Sequence, residues 1–378
     1  MTESLTIARK CRALPIAVAS PADFALTAAG PCDPQVVLQN PHISLYCLDH
    51  PQQRALFVEV DDGWAAAAAP FLYLAQYERA QRLVAVPYAT LAQLADAVAT
   101  PHSSLALIHS PGRSGSTLLS KAFQRLTGTT SLSEPDVYTQ LVQLRAQGVA
   151  SDQELVALLR WATLLLFKPT FAGGAELWVL KFRSFCIQIA DLLVAAFPAA
   201  RNIFLYRDLR PWLLSSARAF LPYLPPEGTA VLRAVAESVA DFIPLLHAYL
   251  ATPGAQVAPI ELLALLWLSV LRRYDELERQ GIHMHAIRYE ALAQEPQRVL
   301  GDVFQHVGLP ASAVGAAAAA LSRDAQEGTL LAREAVGRQE ETLITERQWA
   351  QVRALCARYP VGQGAQRSGA HGLISSAV

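Results

Sequence analysis

The stretch from Leu105 to Leu119 constrains the fold more than any other part of this chain. It begins with an apolar run, Leu-Ala-Leu-Ile-His, continues through the small-residue loop Ser-Pro-Gly-Arg-Ser-Gly, and leads into a run of helical character from Ser116 to Leu126. A strand that passes through a Gly/Ser loop into a helix presents backbone N–H groups and the positive end of a helix dipole. The sequence therefore predicts an anion site at this loop.

The residue types of the loop suit a phosphate-like anion. Gly112 and Gly115 allow the backbone to approach a ligand closely. Ser116 and Thr117 combine helix capping with hydroxyl donors, and Arg113 adds a permanent forked cation. The loop is not the nucleotide-triphosphate loop G-x-x-x-x-G-K-[ST], because its glycines are three residues apart and no lysine follows them. A tight strand-to-helix turn without a ligand remains the alternative.

A second segment has the same character. The β-rich run Asn202–Tyr206 is followed by Arg207, and Ser215 comes eight residues after that arginine. An arginine at a strand end can grip a phosphate through two hydrogen bonds, and a serine on the next helix adds a neutral donor. Pro211 suits the first turn of that helix. The alternative is an ordinary Arg-Asp ion pair at the strand end.

These segments resemble the sulfotransferases that use 3′-phosphoadenylyl sulfate (PAPS) as donor. The pattern P-x-R-S-G-S-T-L-L is similar to their 5′-phosphosulfate loop, and Arg207 with Ser215 is similar to their 3′-phosphate motif. A third match runs from Arg288-Tyr289-Glu290 to Gly308-Leu-Pro, and we expect it to hold the fold together. The resemblance covers about residues 104–310. It implies that PAPS is held, without a metal, by Gly112, Arg113, Ser114, Gly115, Ser116, Thr117, Arg207 and Ser215.

The resemblance also implies catalytic roles for Arg113, Glu134 and Lys181. Arg113 stands where the family places a cation beside the bridging oxygen of the donor. Glu134 follows it by twenty-one residues, close to the spacing of the catalytic base in the tyrosylprotein branch. Lys181 ends a predicted strand, where similar bacterial members carry a lysine directed at the donor. Glu134 could instead favour a helix start ahead of Pro135, and Lys181 could be a strand-end lysine reaching to solvent.

From Ser104 onward, strand and helix patterns alternate. This predicts an α/β fold with a P-loop-type parallel sheet covered by helices on both faces. The loop, Lys181 and Arg207 then lie at the carboxyl ends of strands, where such sheets bind ligands. The predicted strands are 104–109, 129–132, 177–182, 202–206 and 283–288, and the predicted helices include 152–167, 184–197, 229–250, 257–280, 311–322 and 347–359.

Residues 1–100 form a predicted α+β extension of unknown role. We expect residues 1–33 to be irregular because of Pro15, Pro21, Gly30 and Pro31. We further expect the sulfotransferase-like domain to occupy residues 101–360, with a charged loop over 323–343, and a disordered tail to follow over 361–378. The extension is predicted to contain strands at 36–38, 43–47 and 55–60, helices at 64–83 and 88–99, and a core stripe of Phe71, Tyr73 and Tyr77.

Composition limits the partners of the chain. A net charge of −1 gives no reason to expect a nucleic-acid partner. Five cysteines without a C-x-x-C pair predict a reducing compartment and no structural zinc. His283 and His285 have a metal-like spacing but no evident third ligand. Without an apolar leader or a run of about eighteen apolar residues, we expect a cytoplasmic protein with no membrane span.

Three functions remain open from the sequence. The first is an active PAPS-dependent sulfotransferase, acting on a small-molecule or carrier-bound hydroxyl, or on an amine. The second is a P-loop kinase for a small molecule, which the missing lysine disfavours. The third is a catalytically silent nucleotide-binding module.

Overall fold

The computed structural model describes residues 1–12, 14–61, 69–98, 104–168, 175–322 and 344–362. The chain divides into two compact units. Unit 1 contains Met1–Ala106, Phe123–Phe182 and Leu192–Ala200. Unit 2 contains Leu107–Ala122, Arg183–Asp191 and Arg201–Val378. The predicted charged loop over 323–343 and the predicted tail beyond 362 lie outside the described residues.

The N-terminal hundred residues build an antiparallel sheet in unit 1. Its five strands run in the order β2-β1-β5-β4-β3. Leu5, Leu56, Val58 and Leu83 contribute to the apolar cluster on this sheet. The elements are β1 Glu3–Lys10, β2 Phe24–Pro31, α1 Val36–Gln39, β3 Ile43–Asp49, β4 Arg54–Val60, α2 Leu72–Arg79, β5 Ala80–Pro87 and α3 Tyr88–Ala97.

Three predictions for this region are wrong. Residues 1–33 are not irregular, because β1 and β2 form a hairpin whose connection contains Pro15 and Pro21 and whose second strand ends at Pro31. The predicted strand at 36–38 is the short helix α1. The predicted helix at 64–83 ends at Arg79, since the residues that follow pair with β4 and β1 as β5. Its residues 64–68 lie outside the described part.

The second sheet confirms the α/β class. Five parallel strands, flanked by helices, lie in the order β10-β9-β6-β8-β7. Every residue of β8 is buried, as expected for a strand covered on both faces. The predicted strand ends differ from the observed ones by at most two residues. The strands are β6 Ser104–His109, β7 Thr129–Ser133, β8 Leu177–Lys181, β9 Arg201–Tyr206 and β10 His285–Arg288.

Helices connect these strands, and several long predicted helices are divided. The prediction at 229–250 breaks before Pro244, which lacks an N–H and begins a new helix. The predictions at 184–197 and 311–322 contain 3₁₀ turns. The helices are α4 Ser116–Gln124, α5 Val137–Ala146, α6 Asp152–Leu166, α7 Ala190–Ala196, α8 Leu209–Phe220, α9 Ala230–Val239, α10 Pro244–Leu250, α11 Pro259–Arg279, α12 Tyr289–Gln294, α13 Pro296–Val307, α14 Val314–Ala318 and α15 Glu346–Arg358.

Buried polar contacts join the N-terminal sheet to the rest of unit 1. The Lys168 ammonium is 1% exposed and donates to three backbone carbonyls, those of Val37, Asn40 and Ile43. The Asp136 carboxylate accepts from the Ala19 N–H at 2.6 Å. Burial lowers the pKa of Lys168 to about 7. These contacts fix the N-terminal sheet beside the segment that carries Glu134.

None of the helices in the described ranges combines the length and the apolar character that a membrane crossing requires.

Candidate functional site

The loop between β6 and α4 has a backbone that few residues adopt readily. Gly112, Arg113 and Gly115 have φ angles of 75°, 47° and 85°. For an arginine this left-handed conformation costs about 1–2 kcal/mol. Such a cost persists where the surroundings hold the residue in place, often at a functional site.

Space also favours glycine at both loop positions, most strongly at Gly115. A Cβ atom at Gly112 would lie 2.9 Å from the Ser184 Oγ, and one at Gly115 would lie 2.7 Å from the Tyr289 ring. The Tyr289 contact involves a ring carbon, which cannot move aside as easily as a hydroxyl. Tyr289 lies in the segment predicted to hold the fold together, and the structure places it against the candidate anion loop.

Side chains of the loop and of α8 brace the loop. The Ser114 hydroxyl and the Trp212 indole N–H both donate to the Gly112 carbonyl, at 2.9 and 2.8 Å. Ser110 accepts from the Gly112 N–H at 3.3 Å and donates to Ser116 at 3.0 Å. Ser114, Ser116 and Thr117 are buried. The loop is therefore held in one shape ahead of α4, as preorganised anion binding requires.

Arg113 links the two motifs that the sequence predicted separately. Its Nε donates to the Ser215 hydroxyl at 3.1 Å. Ser215 lies on α8 and was predicted to contact a 3′-phosphate. Because a hydroxyl that accepts one hydrogen bond still has a proton to donate, Ser215 keeps the capacity to donate to an anion. The structure thus brings Arg113 and Ser215 together.

Arg207 follows β9 and is oriented by three neighbours. Its guanidinium carbon lies 4.6 Å from the centroid of the Tyr289 ring, its carbonyl accepts from the Trp267 indole at 3.2 Å, and its Nε lies 3.5 Å from Glu290 Oε1. Tyr289 therefore contacts both the loop at Gly115 and the guanidinium of Arg207. These contacts aim Arg207 without occupying all of its five donors.

The Arg207–Glu290 pair is not a formed hydrogen bond. The Arg207 Nε and both Glu290 carboxylate oxygens are buried and have no hydrogen-bond partner within the described part of the chain. The two residues remain an ion pair, and the Arg207 Nε keeps a proton that no hydrogen bond within the described residues uses. The adjacent Asp208 is engaged elsewhere, since it accepts from Arg288 Nε at 3.1 Å.

Glu134 and Lys181 form a pair within unit 1. Glu134 follows β7, has a φ of 57°, and donates its N–H to the Lys181 carbonyl at 2.7 Å. The Lys181 ammonium contacts the Glu134 carboxylate, and the two side chains are 5% and 13% exposed. Like Arg113, Glu134 is a non-glycine residue held in the left-handed region. The structure brings together two residues that the sequence named separately.

The alignment of two strands creates that pair. Ser133 at the end of β7 is in register with Lys181 at the end of β8. The sequence predicted both strand ends but not that these strands are neighbours. Knowledge that β7 and β8 are neighbouring strands would have predicted the contact between Glu134 and Lys181.

The histidines within the parallel strands are buried or stacked on another ring. His109, at the end of β6, is buried, and burial lowers its pKa to about 3. His285 stacks on His306 with ring centroids 5.0 Å apart. Across the described ranges, no group of three or more His, Cys, Asp or Glu side chains is arranged to hold a metal ion.

The comparisons with known proteins give structural neighbours alone. No protein-family model and no curated protein matches the chain. It is similar in structure to the sulfotransferase STF1 from Mycobacterium tuberculosis H37Rv, with 14% identity, 69% of this chain and 81% of that chain covered, and a TM-score of 0.36. It is also similar to the sulfotransferase STF9 from Mycobacterium avium, with 12% identity, 73% and 81% coverage, and a TM-score of 0.38. The site residues themselves therefore have to carry any functional argument.

Proposed function

We propose that this protein is an enzyme that transfers a sulfuryl group from PAPS to a hydroxyl acceptor. The observation that carries the proposal is the contact between Arg113 and Ser215, which joins a strained anion loop to the second predicted phosphate motif at 3.1 Å. A ligand with anionic groups at both its 5′ and 3′ positions would use both motifs at once.

The donor's 5′-phosphosulfate is assigned to the loop. The backbone N–H groups and hydroxyls from Gly112 to Thr117 would hold it, together with the positive end of α4. The 3′-phosphate is assigned to Arg207 and Ser215. This assignment is supported by the Arg207 Nε, which is paired with Glu290 at 3.5 Å but makes no hydrogen bond in the described residues and so has a proton to donate to a phosphate oxygen.

The chemistry needs one cation and one base. The acceptor oxygen forms a bond to sulfur while the bond between sulfur and the bridging phosphate oxygen breaks. The electron pair of the broken bond stays on adenosine 3′,5′-bisphosphate, and we assign the stabilisation of its charge to Arg113. An arginine stays protonated throughout, because its pKa exceeds about 12.

The acceptor proton is assigned to the Glu134 carboxylate. Lys181 is the positioning residue for this base, because its ammonium contacts the carboxylate and its carbonyl accepts the Glu134 N–H. A base held by both its side chain and its backbone loses little entropy on reaching a reactive geometry. The left-handed φ of Glu134 is the backbone cost of that placement.

The donor assignment is tested by thermal unfolding with added nucleotide. Adenosine 3′,5′-bisphosphate at a hundredfold excess over its Kd is expected to stabilise the protein by about 2.7 kcal/mol. ATP with magnesium is expected to stabilise it much less, because the loop lacks the lysine that triphosphates use. Equal or greater stabilisation by ATP would favour the kinase function instead. No stabilisation by either nucleotide would contradict the donor assignment.

A further inference from the structure

The segment that leads into α2 contributes an aromatic side chain beside the Glu134–Lys181 pair. Phe71 immediately precedes α2, and its ring centroid lies 5.9 Å from the Lys181 Nζ. The neighbouring Pro70 carbonyl accepts from the Ser133 hydroxyl at 2.6 Å. Because Ser133 directly precedes Glu134, these two contacts fix the Phe71 segment against both members of the pair.

Phe71 is more exposed than its neighbour Tyr73. Tyr73 is only 4% exposed and belongs to the core, whereas Phe71 is half-buried. The two rings lie 6.5 Å apart in a tilted arrangement, so Tyr73 supports one side of Phe71. A supported aromatic ring that keeps an accessible surface beside a base is suited to contact a substrate.

The charges around Phe71 disfavour a charged acceptor. Glu134 and Lys181 neutralise each other as a pair that is mostly buried. A charged acceptor would have to compete with this pair or lose its hydration without compensation. An uncharged acceptor requires neither, and its apolar body gains by covering the Phe71 ring.

We propose that Phe71 is a specificity-determining residue that selects uncharged acceptors, with the acceptor's apolar group on its ring and the acceptor's hydroxyl at Glu134. This gives the N-terminal region a function: its segment at Phe71 supplies an apolar contact surface for the acceptor. The inference rests on the proposed sulfuryl transfer and goes further by naming the acceptor's charge and the residue that reads it.

The test uses three para-substituted phenols, one uncharged and two of opposite charge, with the full chain and labelled PAPS. The probes are 4-ethylphenol, the anionic 4-hydroxyphenylacetate and the cationic tyramine. We expect kcat/KM for 4-ethylphenol to exceed both others by about tenfold or more. Higher kcat/KM for either charged phenol, or transfer to none of the three, would overturn the proposal.

Variants at position 71 test the residue itself. Phe71→Ala is expected to raise the KM for 4-ethylphenol by about tenfold, with the KM for PAPS unchanged and a smaller rise in Phe71→Leu. Tyr223→Ala, a truncation of an aromatic residue that is 75% exposed, is the matched control and should change neither KM. An unchanged KM for 4-ethylphenol in Phe71→Ala would overturn the role of Phe71.

A binding measurement separates this inference from the proposed function. Ligand-observed NMR gives the Kd of 4-ethylphenol for the protein saturated with adenosine 3′,5′-bisphosphate, without turnover. We expect Phe71→Ala to weaken phenol binding and to leave bisphosphate binding intact. Bisphosphate binding with no effect of Phe71→Ala on phenol binding would overturn the acceptor site alone. Absence of bisphosphate binding to the wild-type protein would overturn the donor assignment and this inference with it.

Discussion

The Arg113 loop of unit 2 and the Glu134 turn of unit 1 each contain a left-handed charged residue, but different contacts hold the two segments in place. Each holds a charged, non-glycine residue at a left-handed φ, 47° for Arg113 and 57° for Glu134. The Arg113 loop is braced by side chains that fix the Gly112 carbonyl from two sides. The Glu134 turn is held by Lys181, which contacts its carboxylate and accepts from its N–H, and by the Ser133 hydroxyl, which donates to the Pro70 carbonyl.

We infer from this difference that the loop serves donor binding and that Glu134 serves turnover. A loop with many braces keeps its shape before a ligand arrives, which lowers the entropic cost of binding an anion. A carboxylate held by one ion pair can exchange that partner for an acceptor proton with little rearrangement. We therefore expect changes in the loop to alter donor affinity and stability, and changes at Glu134 to alter turnover.

The largest expected effect is on turnover. Glu134→Gln preserves the shape of the side chain and removes the base, so kcat should fall by about two to four orders of magnitude while donor affinity stays the same. Steady-state kinetics with labelled PAPS and an accepted hydroxyl compound measures it. Glu295→Gln, at a surface carboxylate that is 56% exposed, is the control. Near-wild-type kcat in Glu134→Gln would place the base elsewhere.

The second-largest expected effect is on the free energy of unfolding, and it distinguishes steric crowding at the loop from backbone strain. An alanine at Gly115 meets both a φ of +85° and the Tyr289 ring, whereas an alanine at Gly128 meets a φ of +75° and open space. Both changes should cost about 1–2 kcal/mol of unfolding free energy for φ. Gly115→Ala should lose a further 1–3 kcal/mol, roughly, through overpacking.

Urea unfolding and bisphosphate titration measure this pair of variants. Only Gly115→Ala should weaken bisphosphate binding, because only that change displaces the ring that also contacts Arg207. Equal stability losses in the two variants, with unchanged binding in both, would show that Tyr289 does not set the loop's shape.

The smallest effect tests the strain itself. Arg113→Gly and Arg113→Ala remove the same hydrogen bond to Ser215, but glycine adopts a φ of 47° freely. Arg113→Gly should therefore be more stable than Arg113→Ala by about 1 kcal/mol. The same difference is expected between Glu134→Gly and Glu134→Ala. Thermal unfolding of the four variants measures both differences, and alanine variants as stable as the glycine ones would contradict the strain at that position.

Much of the parallel sheet could be predicted from sequence. Strands such as β6 and β8 are continuous apolar runs, because they are buried on both faces. The hairpin of β1 and β2 was missed, since β2 is mostly exposed without an alternating apolar pattern and prolines surround it. The first four residues of β5, Ala80 to Leu83, were predicted as helix because their apolar spacing fits either state, and only pairing with β1 and β4 decides between them.

The sequence names residues of the candidate site, but it does not predict which of them are in contact. Motif spacing identified Arg113, Arg207 and Ser215, and the structure adds that Arg113 contacts Ser215. The ion pair of Glu134 with Lys181 depends on which strands are neighbours, and local spacing does not encode that. The left-handed backbone of both charged residues was also hidden, because glycine or asparagine is the usual sign of that conformation.

The central claim is that one donor molecule is read at two positions, by the loop and by Arg207. Titration calorimetry of Arg207→Ala with two ligands tests it directly. Adenosine 3′,5′-bisphosphate should bind about 10- to 150-fold more weakly, since a lost charged hydrogen-bond pair costs about 1.5–3 kcal/mol. Adenosine 5′-phosphosulfate, which lacks the 3′-phosphate, should bind as it does to the wild-type protein, and Arg298→Ala, at an arginine that is 56% exposed, should change neither affinity. An equal loss for both ligands would contradict the account, because Arg207 would then support the fold and not the 3′-phosphate.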